Sequence, residues 1–424
     1  MTATSTRCDG LNKVTAALPF WYFANRDHCD SRYMKPMSRR TVSFSVTGTS
    51  THGTEKTTIK PSIAQNIKPQ KHQLSTPPTR RARLLPGLLT IGLIIGVPNW
   101  ALCQQELHVV PSPFIDNSSL SGAAAIADND IWAVGTIGTG RGPFQTLAEH
   151  FNGTSWSVIS TPAVQGGQFA AVNGVASNDV WAVGQQAAGS SVTALIEHWN
   201  GTTWSVASSP RVGHGAFLSA VMAVSSNDVW AAGSSNNSSG VLIEHWDGTS
   251  WSVISSPAFT GVVGVRGISA DASNDVWAIA VSTTLHWDGQ SWSQIPEPSK
   301  FGGNAITALS PTNVWAAGSR SGEHPDALEA IAHWNGTSWN IVATVDPFPA
   351  NHLSSRFTGI AAVSANNIWA VGSGFAEQWN GASWSIVNTP SGVGFSGVTA
   401  LSDGLVVAVG DTCSTSCSAV ILEN

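Results

Sequence analysis

The chain has 424 residues, with 20 Lys and Arg against 26 Asp and Glu, and a formal net charge of −6. The charges are unevenly distributed: residues 1–103 hold 14 Lys and Arg and 4 Asp and Glu, whereas residues 104–424 hold 6 and 22. The long acidic part offers few cations to phosphate, so its composition argues against nucleic acid as a partner.

The N-terminal segment, residues 1–83, is predicted to be a disordered leader. Its stretch 38–83 is rich in Ser, Thr, Lys and Pro and has no apolar period, which is typical of a chain that cannot form a core. Eighty residues are an unusual length ahead of an apolar segment, so a later start codon, such as Met37, remains an alternative to the full leader.

Residues 84–103 are predicted to be the hydrophobic region and cleavage site of a signal peptide. RRAR at 80–83 supplies the cationic flank, the run LLPGLLTIGLIIGV at 84–97 is apolar, and ALC at 101–103 has small residues at the −3 and −1 positions. Cleavage before Gln104 would give a secreted or cell-surface protein. An uncleaved membrane anchor at 84–97 is the alternative, and the choice between the Sec and twin-Arg routes stays open.

From Gln104 onward one pattern repeats seven times. Its marker is the Trp in phrases such as DVWAVG, and the intervals between successive markers are 49, 49, 47, 38, 54 and 38 residues. Each unit contains four short apolar runs of strand length. Four strands in each such unit are typical of a propeller blade, so residues 104–424 are predicted to form an all-β, seven-bladed β-propeller. The markers are Trp132, Trp181, Trp230, Trp277, Trp315, Trp369 and Val407.

The third and fourth strands of each unit meet at an Asn-Gly or Asp-Gly turn, as in EHWNGTTWSV at 197–206. Both turn residues tolerate positive φ. An even-numbered connection places Trp199 and Trp204 on one face of the blade, where the two rings can pack. All 17 Trp residues after Gln104 fall at such strand positions, so they are predicted to be blade core rather than sugar-stacking platforms.

Two further features predict how the ring is assembled. The residues ten and seven places before each marker are Gly or Ala in every unit, which suits strands crowded around a propeller axis. The last unit ends at its third strand, AVILEN (419–424), whereas ELHVVPSP (106–113) matches a fourth strand. The N-terminal segment is therefore predicted to complete the last blade and close the ring.

The pattern resembles kelch-type β-propellers, specifically a Trp-rich bacterial variety with NDVWAVG and HWNGTSW repeats. Trp199, Trp204 and Pro210 match the aromatic residue, Trp and Pro of kelch strands three and four. A single glycine, such as Gly184, stands where the kelch pattern has two, and blade four has Ala280 there. The resemblance implies four-stranded blades.

Catalytic signatures of propeller enzymes are absent from the pattern. Residues 104–424 contain no Tyr, which the copper radical oxidases and sialidases of this fold require. Pairs such as Glu197-His198 occur once per blade, so they are predicted to be structural and hydrogen-bonded within the blade. The turn residue Asp179 and its equivalents are predicted to bond nearby backbone amides. No cofactor or metal is predicted, and a carbohydrate-active hydrolase or lyase stays open as the alternative.

Strand direction divides the connections between two rims. The turn rim carries the turns between strands one and two and between strands three and four, which keep nearly constant length. The variable rim carries the other connections, which range from VST (281–283) to VDPFPANHLSSRF (345–357). Variable loops on a rigid scaffold usually carry binding, so we expect a monomeric binding protein whose variable rim meets a cell-surface polysaccharide or protein. The candidate ligand-binding residues are Arg141, His214, Arg320, His324, Asp326, His352 and Arg356.

Cys413 and Cys417 are expected to form a disulfide. They are the only cysteines left after cleavage behind Cys103, and an exported protein enters an oxidising compartment. The five-residue loop that they close lies between the second and third strands of the last blade. A reduced thiol pair and half of a metal site are the alternatives.

Overall fold

The structure, a computed structural model, describes residues 105–138, 144–212, 215–236, 240–258, 264–280, 283–321, 328–348, 355–413 and 416–424. The predicted leader and signal segment lie outside these residues. Within the described ranges, 28 strands form seven sheets of four strands each, which confirms the predicted all-β propeller. The described residues include no helix with the length and hydropathy needed to cross a membrane.

Each sheet is one blade, and its strands are neighbours in chain order, except that the N-terminal strand joins the last blade. Blade 1 consists of β2 (Ser118–Ala127), β3 (Asp130–Ile137), β4 (Gln145–Phe151) and β5 (Trp156–Val158). Blade 2 consists of β6 (Gln168–Ala176), β7 (Asp179–Ala188), β8 (Ser191–Trp199) and β9 (Trp204–Val206). Blade 3 consists of β10 (Phe217–Ser225), β11 (Asp228–Ser234), β12 (Val241–Trp246) and β13 (Trp251–Val253). Blade 4 consists of β14 (Val265–Ala272), β15 (Asp275–Ala280), β16 (Thr283–Trp287) and β17 (Trp292–Ile295). Blade 5 consists of β18 (Phe301–Ser310), β19 (Asn313–Arg320), β20 (Leu328–Trp334) and β21 (Trp339–Val342). Blade 6 consists of β22 (Phe357–Ser364), β23 (Asn367–Gly372), β24 (Phe375–Trp379) and β25 (Trp384–Val387). Blade 7 consists of β26 (Val393–Ala400), β27 (Val406–Cys413), β28 (Cys417–Glu423) and β1 (His108–Val109).

The ring closes through the N-terminal strand. β1 pairs antiparallel with β28, with His108 opposite Glu423 and Val109 opposite Leu422. The preceding residue, Leu107, is buried, and its N–H donates to the carbonyl oxygen of Asn388 in blade 6 at 2.9 Å. The predicted closure of the ring is therefore confirmed, and the N-terminal segment contacts blade 6 as well as blade 7.

The core lies between blades. The marker Trp of one blade packs against the third-strand and fourth-strand Trp of the next: Trp181 lies 5.2 Å from Trp246 and 5.3 Å from Trp251 between ring centroids. Within a blade, Trp199 and Trp204 are direct cross-strand partners with ring centroids 5.9 Å apart, as the turn chemistry predicts. The Trp residues are thus core, and each set joins two blades.

The first strands of successive blades contact one another around the axis. A Cβ built on Gly122 would lie 3.1 Å from the Cα of Ala171 in the next blade. Backbones this close explain why the position ten residues before each marker is always Gly or Ala. The crowded inner strands predicted from the sequence are therefore confirmed.

Candidate binding rim

The connections of the turn rim bond to one another. In blade 2 the Asn200 side-chain oxygen accepts hydrogen bonds from the N–H groups of Thr202 and Thr203 at 2.9 and 3.0 Å. Gly201 has φ of 91° and packs so closely on Asn178, in the other turn of the same blade, that an added Cβ would lie 2.7 Å from the Asn178 Cβ. In such turns the polar side chains form hydrogen bonds within the turn, so few polar groups remain to bind a ligand.

The turn aspartates bond to side chains, which corrects the expectation that they bond to backbone amides. Asp179 Oδ1 accepts from Trp181 Nε1 at 3.0 Å and lies 2.8 Å from His198 Nε2. The His rings lie over the marker Trp rings, with centroids 4.1 Å apart for Trp181 and His198. The His half of each Glu-His pair is therefore structural. In blade 5 Asn313 takes the place of Asp, and in blade 6 Asn367 and Gln378 take the places of Asp and His.

The Glu half of these pairs is buried between blades. Burial raises the pKa of Glu149 to about 7 and that of Glu197 to about 8. Their carboxyl oxygens have no hydrogen-bond partner among the described residues, so the prediction of a bonded carboxyl is wrong for these two. Glu244 does accept bonds, at 3.0 and 3.1 Å, but from Ser209 of the preceding blade rather than from its own.

Charge separates the two rims. In sequence, all six Lys and Arg after residue 103 lie in or beside connections of the variable rim: Arg141, Arg211, Arg266, Lys300, Arg320 and Arg356. The turns of the turn rim are all described and contain no Lys or Arg, although they and the adjoining strand ends carry acids such as Asp128, Asp247, Asp288 and Asp403. The variable rim therefore holds all the cations of the propeller sequence, which can attract anionic groups, alongside acids such as Asp346 and Asp411.

Two of the seven candidate ligand-binding residues are described. Arg320 ends β19 and is the cross-strand partner of Phe301 in blade 5, and Arg356 is exposed immediately before β22 of blade 6. They lie on neighbouring blades of the same rim. The other five lie outside the described residues: Arg141, His214, His324, Asp326 and His352.

Sequence reasoning missed a feature common to all seven inner strands. Each first strand has a β-bulge eleven residues before its marker, as where Leu120 pairs with Gly135, Gly122 pairs with Val134 and Ser121 is left over. Bulges re-aim a side chain, and each bulge residue is partly or fully exposed between crowded inner strands. These residues form a ring around the propeller axis, near the variable-rim end of the inner strands. The ring is Ser121, Ala170, Ser219, Arg266, Asn304, Thr358 and Ser396.

The signal for this ring is present in the sequence. Gly135 and its equivalents, three residues after the marker, face the carbonyl group of the first strand so closely that a Cβ would overlap the oxygen. Six of the seven bulge residues are polar, and only Arg266 carries charge. The recurrent single glycine therefore marks the bulge in six blades, whereas blade 4 has the same bulge with Ala280 in that place. The residue eleven before the marker is the ring residue in all seven.

Side chains of the ring connect blades 4, 5 and 6. Arg266 Nη1 donates to Asn304 Oδ1 at 2.5 Å, and Asn304 Nδ2 donates to the carbonyl oxygen of Phe357 at 2.8 Å. The hydroxyl of Thr358 donates to the carbonyl oxygen of Phe395 at 2.8 Å, which extends the connection to blade 7. Arg356, adjacent to Phe357, stands at the end of this row.

A cavity of about 340 Å³ opens on the same part of the variable rim. It lies between the end of blade 4 and the start of blade 5. Lys300 there has φ of 68°, and its carbonyl oxygen accepts from the N–H of Ser321 at 3.1 Å. The lining residues are Glu297, Pro298, Ser299, Lys300, Phe301, Gly302, Ser319 and Ser321.

Cys413 and Cys417 are joined by a disulfide in the structure and are cross-strand partners in β27 and β28. They lie on the variable rim beside the connection between these two strands. Among the described residues, no three His, Cys, Asp or Glu side chains are grouped so as to hold a metal ion. The cysteine pair thus acts as a covalent link in blade 7.

Comparison with protein-family models gives no match, and comparison with curated proteins gives none either. Solved structures with a similar fold include YCF48 bound to a D1 peptide, with 14% identity, a TM-score of 0.54, and coverage of 76% of this chain and 96% of that chain. YCF48 from Cyanidioschyzon merolae has 15% identity and a TM-score of 0.50, covering 74% of this chain and 98% of that chain. The WD40 β-propeller domain of Doa1 has 11% identity and a TM-score of 0.52, covering 75% and 97%. At these identities the likeness shows the propeller fold alone.

Proposed function

We propose that this chain is an exported binding propeller of a kelch-like variety, which presents its variable rim to a protein or polysaccharide ligand at the cell surface. The observation that carries the proposal is the contrast between the rims. On the turn rim, polar side chains form hydrogen bonds within their own turns. The variable rim carries the cavity and all the cations of the propeller sequence. The peptide-bound state of YCF48 supports a protein ligand for a propeller of this shape.

Export rests on the sequence of residues 84–103 and is supported by the Cys413–Cys417 disulfide, because disulfides persist mainly in oxidising compartments. The intact mass of the exported protein tests this part. We expect a chain that begins at Gln104. A mass that retains residues 84–103 would instead indicate an anchored protein.

The binding rim is tested with a photo-crosslinking amino acid placed at one exposed position on each rim. Ser321 serves for the variable rim and Thr202 for the turn rim. In cells of the native host, we expect partner adducts from Ser321 and none from Thr202. Adducts from Thr202 alone, or equal yields from both positions, would contradict the assignment of the binding face.

A carbohydrate-active hydrolase or lyase is the second candidate, because one carboxyl pair in blade 4 breaks the repeat. Burial, together with a hydrogen bond to Asp275 and the charge of that residue, raises the pKa of Asp271 to about 6. In blade 1 the same bulge position holds apolar Ile126. Two carboxyls in unlike environments are a pattern of acid–base catalysis. An Asp271→Asn variant that loses glycan cleavage measured for the unaltered protein would favour this function.

A further inference from the structure

Blade 4 alone places a cation in the bulge ring. The other six members of the ring are Ser, Thr, Asn or Ala, whereas Arg266 is exposed and is held on one side by its bond to Asn304. A guanidinium has five N–H donors in a planar fork, so one bond to an amide leaves donors for a second acceptor. The bond to Asn304 therefore orients Arg266 for a ligand as well as joining two blades.

Arg356 extends this charge along the rim. It is exposed directly before Phe357, whose carbonyl oxygen accepts from Asn304. Lys300 lies between the two arginines in chain order and lines the cavity at the start of blade 5. We call Arg266, Lys300, Asn304 and Arg356 the basic arc; it spans the inner strands of blades 4 to 6.

Three carboxyl groups lie in or beside the connections of blades 4 to 6 on this rim, and one of them, Glu297, lines the cavity. Burial raises the pKa of Glu297 to about 7, although Thr284 and Arg266 lower it, and burial raises the pKa of Glu377 to about 8. Glu329 is buried and bonded to the hydroxyl of Ser355. The arc therefore combines exposed cations with carboxyl groups whose pKa is raised by burial, which weakens the negative charge beside the arginines.

The partner chemistry follows from the side chains around the arc. Carboxylates match exposed guanidinium groups, and the Ser, Thr and Asn of the ring suit peptide N–H and C=O groups. A polysaccharide would favour aromatic platforms, but all 17 Trp residues of the propeller occupy strand positions near the turn rim. The arc thus fits an acidic peptide better than an acidic sugar polymer.

We propose that the basic arc binds an acidic peptide segment, with Arg266 and Arg356 pairing with its carboxylates and the 340 Å³ cavity beside Lys300 taking a neighbouring side chain. This inference rests on the proposed function, since it takes the variable rim to be the binding face. It narrows the ligand to a peptide rich in Asp and Glu and the site to blades 4 to 6.

A fluorescent Asp/Glu-rich decapeptide with a photo-crosslinker tests the site on the full chain. Because residues 1–103 are themselves basic, the adducts are mapped by mass spectrometry. We expect adducts on residues 264–267, 297–304 and 355–358, all on the variable rim. Arg266→Gln and Arg356→Gln should each weaken binding about tenfold, and Arg266→Lys by less because it keeps the charge. Arg211→Gln is the matched control, because Arg211 is exposed on the same rim outside the arc.

Several results would overturn the inference. One is a loss of affinity with Arg211→Gln equal to that with Arg266→Gln, which would indicate unspecific attraction. Adducts confined to residues 1–103 or to blades 1–3 are another. Alginate or polygalacturonate competing as well as the peptide would identify a sugar site instead. If the Ser321 probe still captures its native partner in the Arg266→Gln, Arg356→Gln double variant, the binding rim stands and the acidic-peptide site fails.

Discussion

Two kinds of junction hold the ring together. The five junctions from blade 1/2 to blade 5/6 are Trp sandwiches, in which a marker such as Trp230 contacts Trp287 and Trp292 of the next blade at 5.1 and 5.5 Å. The two junctions that flank blade 7 have no such sandwich. At junction 6/7, Trp369 packs among aliphatic residues and Phe395, and at junction 7/1 the marker is Val407.

Blade 7 has other links in place of the missing rings. The hydroxyl of Ser118 in blade 1 accepts from the N–H of Ala419 at 3.1 Å, and Ser416 donates to Asp116 at 2.7 Å. The blade also contains the disulfide and the N-terminal strand. Closure therefore depends on specific bonds, whereas the other junctions depend on aromatic burial. The two kinds of junction should fail differently when they are altered.

Removal of residues 106–111 should have the largest effect. It takes away β1 and buried Leu107, and it leaves the edge of β28 unpaired. We expect a loss of several kcal/mol in the free energy of unfolding, comparable to two large core truncations, together with aggregation. Denaturant unfolding and light scattering measure both. Val109→Ala is the control, since Val109 is 51% exposed. A shortened chain with unchanged melting and no aggregation would contradict closure by this strand.

The Trp junctions are tested by comparing Trp230→Ala with Val407→Ala. Trp230 is 2% exposed at junction 3/4, so its truncation should cost about 3–5 kcal/mol of the free energy of unfolding. Val407 occupies the equivalent place at junction 7/1, where we expect about 1–2 kcal/mol, because fewer buried atoms are removed. Urea unfolding followed by far-UV circular dichroism gives both values. Equal costs would remove the distinction between the junctions.

The buried glutamates predict a dependence on pH. Glu197 keeps its proton in the folded protein up to about pH 8, whereas its ordinary pKa is 4.5. The folded state therefore binds more protons than the unfolded state between these values, and stability falls as pH rises through this window. Glu197→Gln should raise the free energy of unfolding by roughly 2 kcal/mol at pH 9 and change little at pH 4.

A Glu149→Gln variant, at the junction of blades 7 and 1, provides a second measurement of this pH dependence for comparison with Glu197→Gln. Burial raises its pKa only to about 7, so the gain from Glu149→Gln should be smaller and its pH window narrower than for Glu197→Gln. Thermal melts at pH 4, 7 and 9 provide the comparison. Destabilisation by Gln at pH 9 in both variants would show that these carboxyls are ionised and bonded in the folded protein.

Loss of the disulfide should have an effect similar in size to that of Glu197→Gln. It closes a loop of only five residues, so loss of the chain-entropy contribution in a Cys413→Ser, Cys417→Ser variant should cost about 2 kcal/mol. We expect the loss only when the unaltered protein is oxidised, with no difference after reduction. Mass spectrometry of the non-reduced peptide checks the bond directly. Two alkylatable thiols in freshly exported protein would contradict it.

Much of the fold could be predicted because the same four-strand pattern occurs seven times in the sequence. The marker spacing, the Asn-Gly turns and the missing fourth strand each follow from local chemistry that needs no distant contact. The bulges could not be derived in this way, since whether Ser121 or Arg266 is left out of the ladder depends on how the neighbouring strand pairs. The role of Asp179 was mistaken because its partners, Trp181 and His198, come together only in the folded blade.

The candidate site was less accessible to sequence reasoning. Loop variability pointed to the variable rim, and Arg356, one of the candidates on that rim, lies beside the bulge ring. Arg266 was not among the predicted ligand-binding residues, because the sequence does not show which residue is left out of the strand pairing. Its exposure follows from the bulge, so the departure from a repeated Ser, Thr or Asn was the usable signal.

Ring closure also constrains the order of assembly. Val109 pairs with Leu422. The first propeller segment to be synthesised therefore pairs with a strand that is among the last to be synthesised. Contacts between such distant segments form slowly because the loop entropy between them must be overcome first. During synthesis, blades 1 to 6 would emerge with the N-terminal strand unpaired, and that strand would be exposed to chaperones or to another copy until translation is complete. The final β-strand pairing is therefore also the step at which a nascent chain becomes resistant to aggregation.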